Sequence, residues 1–150
     1  IQDMYFMLQL EVVERMVAPH STSNYGRLSI MSQHYCEMYK LFDVAPTAFI
    51  PQPKITSAIL QLIPHTQHAQ IDDLTLFQAL VTRAFSQRRK TLRNALKPYL
   101  TEGEMHSLDI PATQRPETIS GAQYIQCANY VSARATEIQP ALTASPDKRN

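Results

Sequence analysis

Apolar and polar positions alternate in blocks along the chain, and the blocks predict a change of architecture near residue 70. In "DMYFMLQ" the apolar residues occupy both faces of an extended segment, Met4, Phe6 and Leu8 on one and Tyr5 and Met7 on the other. A strand apolar on both faces is expected where helices cover a sheet on both sides, as in α/β proteins. Leu10, Val13 and Val17 then recur at helical spacing, with Glu11, Glu14 and Arg15 outward and Pro19 as the stop. After the polar loop "PHSTSN", the stretch "YGRLSIMSQHYCEMY" predicts a second helix with Leu28, Met31 and Tyr35 on one face. "KLFDVA" and "TSAILQLIP" predict two more strands, with little helix between them, which suits antiparallel pairing. Three strands are too few for a doubly wound sheet. Either residues outside this chain complete the sheet, or a partner covers its edge. The chain starts at Ile1 in the middle of an apolar run, which predicts a piece of a longer protein.

The polar stretch "PHTQHAQIDD" has no stripe of either period and reads as a linker. Beyond it everything reads helical. "DDLTLFQALVTRAFSQRRKTLRNALKPYL" carries Leu74, Phe77, Leu80, Val81 and Ala84 on one stripe, then Leu92, Leu96 and Tyr99, with Asp72 or Asp73 as the cap. Thr101 with Glu104, and Ser120 with Gln123, have the spacing of capping boxes. The second box opens a helix that buries Tyr124, Ile125, Ala128 and Val131. The tail "QPALTASPDKRN" is expected to fray. The predicted class is therefore α/β for residues 1–66, a linker at 67–73, a small all-α part at 74–137 and a flexible tail at 138–150.

With 150 residues, 44% of them hydrophobic and 18% charged, the chain suits one domain of ordinary size or two small ones. A net charge of +1 excludes a generic polyanion binder, so any nucleic-acid site must come from local clustering. Such a cluster exists. Arg83, Arg88, Arg89, Lys90, Arg93 and Lys97 fall in a stretch, Leu74 to Thr101, that contains no acidic residue. On one continuous helix Arg83, Gln87, Lys90, Asn94 and Lys97 would share a face, with Arg89 and Arg93 on the next ridge. That stripe suits a phosphate backbone, and six phosphate contacts would give a log–log salt slope of roughly −5 on duplex. The competing reading is a solvated helix face, but such faces normally mix signs. Cys36 and Cys127 match no CxxC spacing and read, with the methionines, as reduced core residues. His20, His34, His65, His68 and His106 show no metal-ligand spacing, and there is no GxGxxG or P-loop. No apolar stretch is long enough to span a bilayer. In "TAFIPQPKITSAILQL" a proline-stiffened loop carries Phe49 just ahead of a strand. By itself such a ring is more often a core plug than a ligand contact.

Together "FMLQLEVVERMVA", "YGRLSIMSQHYC", "AFIPQPKITSAILQLIPH", "AFSQRRKTLRNAL" and "ISGAQYIQCANYV" resemble the bacterial ribosomal RNA adenine dimethyltransferases, the KsgA/RsmA family. The resemblance implies an S-adenosylmethionine-dependent enzyme with a Rossmann-like catalytic domain and a smaller helical C-terminal domain. It implies dimethylation at N6 of two adjacent adenosines near the 3′ end of 16S rRNA, in the small subunit or its precursor, by a cytoplasmic, monomeric protein. It places the donor site and the Asn-Leu-Pro-Tyr motif upstream, so no catalytic or cofactor residue is expected here. Residues 1–66 would be the end of the catalytic domain and 74–137 an rRNA-binding domain. Phe49 matches the family aromatic that packs on the flipped target adenine, Arg88, Arg89, Lys90 and Arg93 match the basic patch, and Lys54 orders the loop or meets phosphate. Gln52 and Ile55 depart from common choices in the motif. Two alternatives stand beside this reading: a non-catalytic RNA-binding module, and a large-subunit methyltransferase of the resistance type.

Overall fold

The computed structural model describes residues 2–143, with side chains for residues 2–135. The order is β1 (Met4–Gln9), α1 (Leu10–Val17), α2 (Arg27–Tyr35), β2 (Cys36–Val44), β3 (Ser57–Pro64), α3 (Leu74–Ser86), α4 (Leu92–Ala95), α5 (Glu102–Ser107) and α6 (Gly121–Thr143). The strands form one sheet in the order β1-β3-β2, and both pairings are antiparallel. The α/β character and the antiparallel pairing of the last two strands follow the sequence pattern.

The sheet is covered on one face only, contrary to the two-sided covering expected from β1. Register places Met4, Phe6 and Leu8 opposite Leu62, Leu60 and Ala58. On that face Ala58, Leu60 and Leu62 are buried together with Val13 of α1, and Met4, Leu8 and Met38 pack around them. The other face carries Tyr5, Met7, Tyr39 and Ile59, and no described helix lies on it. Tyr5 is 56% exposed and Met7 50%, so Met7 is not the core residue expected of it. A bulge between Lys40 and Phe42 shifts the register of β2, and Phe42, now opposite Ile59, is 58% exposed.

The second helix also departs from its predicted face. Leu28 and Tyr35 are exposed, and the inward side of α2 is Ser29 and Ile30. The reason is the C-terminal end of α1, whose last carbonyls have no partner within that helix. Ser29 Oγ donates to the Arg15 carbonyl, and Gln33 Nε2 donates to the Met16 and Ala18 carbonyls, both at 2.8 Å. A polar edge on α2 is thus needed to close α1. Strand β2 begins at Cys36, earlier than the "KLFDVA" pattern implied, and Cys36 is only partly buried.

The helical part has its own capping logic. Asp73 Oδ1 accepts from Leu76 N–H at 3.1 Å. Thr101 and Glu104, and Ser120 and Gln123, form the two reciprocal boxes. Phe77, Leu80, Leu92, Leu96, Met105 and Tyr124 are all buried in one cluster. That cluster also takes in Ala18, Tyr25 and Ile30, so residues from before β2 help to fill it. Helix α6 continues past residue 137 to Thr143; the rest of the expected tail lies outside the described residues.

Candidate nucleic-acid interface

The basic segment does not form one helix. α3 ends at Ser86, Gln87 caps it with an N–H bonded to the Ala84 carbonyl, and a turn follows in which Lys90 N–H reaches the Gln87 carbonyl at 2.9 Å. α4 begins only at Leu92. Its first amides are taken by a distant loop, Leu92 N–H by the Gln114 carbonyl at 2.7 Å and Arg93 N–H by the Ala112 carbonyl at 2.9 Å. A continuous helix would have bonded those amides internally, so the 111–115 loop competes with helix propagation and wins. The stripe drawn on a single helix is therefore wrong in construction.

Most of its members meet all the same. Arg83, Lys90, Asn94 and Lys97 line one open hollow of about 500 Å³, closed at one side by Pro98. The helix break folds the second half of the segment back, so that residues from α3, the turn and α4 converge. Arg83 is half-buried and is aimed by its Nε, which donates to the Ala95 carbonyl at 3.1 Å. Lys90 and Lys97 are exposed, and no carboxylate lines the hollow. Arg93 stands on an adjoining hollow with Asn94 and Lys97, where it pairs with exposed Glu102 at 3.2 Å. Arg89 is exposed in the turn.

Arg88 points elsewhere. Its Nη2 donates to the Tyr25 carbonyl at 2.6 Å and to the Ser23 carbonyl at 3.1 Å, and the guanidinium lies over the Phe85 ring at 5.6 Å. Its Nε is 4.0 Å from Glu117 Oε2, an oxygen that is buried and has no hydrogen-bond partner among the described residues. The cation offsets that charge by proximity alone. Tyr25, whose hydroxyl donates to the Ile119 carbonyl at 2.7 Å, is buried, and burial raises its pKa well above the usual phenol range. Arg88 is therefore a clamp between the end of α3 and the loop before α2.

Phe49 and Lys54 lie on the β2–β3 loop, apart from the basic hollow in sequence and in its lining. A 3₁₀ turn at Pro46–Ala48 leads into Phe49, whose N–H donates to the Pro46 carbonyl at 3.2 Å. Phe49 is half-buried, and among the described residues it belongs to neither core cluster, which weighs against a core plug. Beside it Ile50 is fully exposed, a residue the sequence reading passed over. An apolar residue wedged between an aromatic and a proline was the available signal. Lys54 is exposed.

The described residues do not fit S-adenosylmethionine. β1 runs into α1 with no loop between them, and the three glycines, Gly26, Gly103 and Gly121, sit at the starts of α2, α5 and α6 rather than after a strand. Among the described residues no group of three or more His, Cys, Asp or Glu side chains is placed to hold a metal ion, and no helix is long and apolar enough to cross a membrane.

The family model described as "Ribosomal RNA adenine dimethylase" matches residues 1–133. The chain is 46% identical over 137 residues to the ribosomal RNA small subunit methyltransferase A of Yersinia pestis (strain Pestoides F), covering 91% of this chain and 50% of that protein. It is 51% identical over 130 residues to the protein of the same name from Dichelobacter nodosus, covering 86% and 49%. The chain thus spans about half the length of the curated relatives it matches. Among solved structures, a dimethyladenosine transferase from Plasmodium falciparum superposes with a TM-score of 0.73 at 22% identity, over 90% of this chain and 58% of that one. The 23S rRNA methyltransferase ErmE gives 0.58 at 18%, over 88% and 55%. Both likenesses speak for the fold.

Proposed function

The chain belongs to the ribosomal RNA adenine dimethylase family, and from that we infer that it is the distal part of an enzyme that dimethylates N6 of two adjacent adenosines near the 3′ end of 16S rRNA. S-adenosylmethionine supplies the methyl groups in that reading, and segments other than those described hold it. The observation that carries the RNA contact is the hollow of Arg83, Lys90, Asn94 and Lys97, which gathers three cations and an amide with no carboxylate. Phosphate oxygens accept from such donors, and the loss of a break-free helix does not weaken the argument, since the hollow is formed by the break.

In this proposal Phe49 receives the extruded adenine. A base leaving its stack loses contact on both faces, and an aromatic ring replaces part of it. The half-buried ring at the mouth of β3 suits that task, and the adjoining prolines limit the freedom lost in fixing it. Lys54 lies on the same loop for phosphate. Arg89, Arg93 and the hollow hold the rRNA backbone, and Arg88 acts by fixing the segment. The open apolar face of the sheet is where the donor-binding half of the enzyme would pack. Residues 1–66 then close the catalytic domain, 67–73 link it, and 74–137 form the all-α rRNA-binding domain of a monomeric, cytoplasmic protein.

A methylation assay on the full-length enzyme with small-subunit particles tests the reaction. Turnover at N6 of adenosine in 16S rRNA is expected, and activity on 23S rRNA instead would favour the large-subunit type. The relatives at 46% and 51% identity carry small-subunit names, which favours the first. RNA binding without turnover by the full-length protein would leave only the binding module.

A further inference from the structure

A second concavity is lined by a quite different chemistry. It has a volume of about 420 Å³ and lies where α2, the segment after β3 and the first turn of α6 meet. Imidazoles from three parts of the chain converge on it: His20 before α2, His34 on α2, and His65 and His68 after β3. The His34 and His68 rings are 4.9 Å apart, and His34 also lies edge-on to Tyr35 at 4.8 Å and near Phe77 of α3 at 6.5 Å. His65 is held by its backbone N–H on the Tyr35 carbonyl and by Nε2 near the Gln33 carbonyl. Ile30 and Ile125 add an apolar floor. No lysine, arginine or carboxylate lines the hollow among the described residues.

We propose that this hollow binds a single unpaired nucleobase. The size is that of small-ligand pockets, and flat rings beside aliphatic side chains make stacking walls, with few polar groups at the edge. Those edge groups are present. Gln67 is exposed and its amide has no hydrogen bond among the described residues, and the Gln33 amide keeps its Oε1 once Nε2 is spent on α1. Burial first, and then the neighbouring His68 and His65, hold the His34 imidazole below its ordinary pKa, and no carboxylate stands by to offset this. A lining without lysine or arginine favours a base over a bare phosphate. The base could come from a free nucleoside or from an unstacked residue of RNA; the RNA source rests on the function proposed above, the pocket itself does not.

The test follows the histidine ring resonances of the protein by NMR while adenosine, AMP, CMP, inorganic phosphate or a short single-stranded RNA is added. Adenosine and AMP are expected to move the His34 and His68 signals alike and saturably, and inorganic phosphate to leave them in place. His68→Ala, at an exposed position, is expected to weaken nucleoside binding at least fivefold with no change in melting temperature. Ala122→Phe, which fills the hollow from the exposed first turn of α6, is expected to abolish it. Phosphate moving the same signals as strongly as AMP would overturn the proposal, as would unmoved signals with every nucleoside and the RNA. RNA that competes with adenosine identifies the source as an RNA residue, and RNA that does not identifies it as a free nucleoside. Lys90→Ala with Lys97→Ala leaves nucleoside binding intact on this proposal, so a failure of the basic surface is told apart from a failure here.

Discussion

Replacing Lys90 and Lys97 together by alanine separates phosphate contact from scaffolding more cleanly than any change at Arg88. Both lysines are exposed, both line the same hollow, and neither makes an ion pair among the described residues, so their loss leaves the packing intact. Within the basic segment, five cations make no ion pair among the described residues or pair only with exposed Glu102: Arg83, Arg89, Lys90, Arg93 and Lys97. If all five meet phosphate on duplex RNA, log K falls against log salt with a slope of about −4.5 by the B-DNA coefficient, roughly 500-fold between 50 and 200 mM. Without the two lysines the slope becomes about −2.7, and the same change in salt costs only about 40-fold. Fluorescence anisotropy with a labelled rRNA fragment over a salt series reads this directly. Arg88→Ala serves as the contrast. It removes charged hydrogen bonds to the Tyr25 and Ser23 carbonyls, so it is expected to lower stability by about 1–3 kcal/mol in urea melts and to leave the slope unchanged. An unchanged slope in the double lysine variant refutes the hollow as a phosphate seat. A slope reduced by Arg88→Ala at full stability refutes the clamp.

Phe49→Ala in the full-length enzyme is expected to cut methylation by the worth of one base stack, about 1–3 kcal/mol, with RNA affinity nearly retained; unchanged turnover returns the ring to a packing role. The Glu104 carboxyl, bonded first of all by the Thr101 backbone N–H and also by Arg134, is held down to about 2. A depressed carboxyl stabilises the fold above its unfolded pKa and loses that contribution as pH falls, here from about 4.5 towards 2. Glu104→Gln should flatten that part of a melting-temperature profile against pH, and an identical profile would refute the assignment. Burial pushes the Cys127 thiol up to about 12, so a thiol reagent is expected to label Cys36 in the native protein and Cys127 only after denaturant is added. Equal labelling rates in the native state would contradict the buried site.

Local chemistry was largely readable from the chain. Asp73, the Thr101–Glu104 box and the Ser120–Gln123 box were legible because a cap depends on residues three apart. What was not legible depended on distant partners. Nothing near Ser29 or Gln33 reveals that the carbonyls of α1 will claim them. The restart of the helix at Leu92 is set by the Gln114 and Ala112 carbonyls, some twenty residues further on, which no periodicity can show. Arg88 and Lys90 are alike as charges in a run, and only the fold sends one onto the Tyr25 and Ser23 carbonyls and the other to a hollow. The exposed side of β1 escaped notice for a related reason: an apolar face tells that something covers it, not whether this stretch of chain supplies the cover.

Tyr25 and Ile30, set before the linker yet sunk among Phe77, Tyr124 and their neighbours, forbid treating the helical half as an interchangeable cassette. Spliced at the linker onto another carrier, residues 74–143 would arrive with a gap shaped like a phenol ring and an unanswered carbonyl at Ile119. Recombination that exchanged the helical part would have to exchange α2 and the loop before it as well. The natural unit of inheritance on this side of the protein is therefore longer than the linker suggests, and its true border lies inside the first half of the chain.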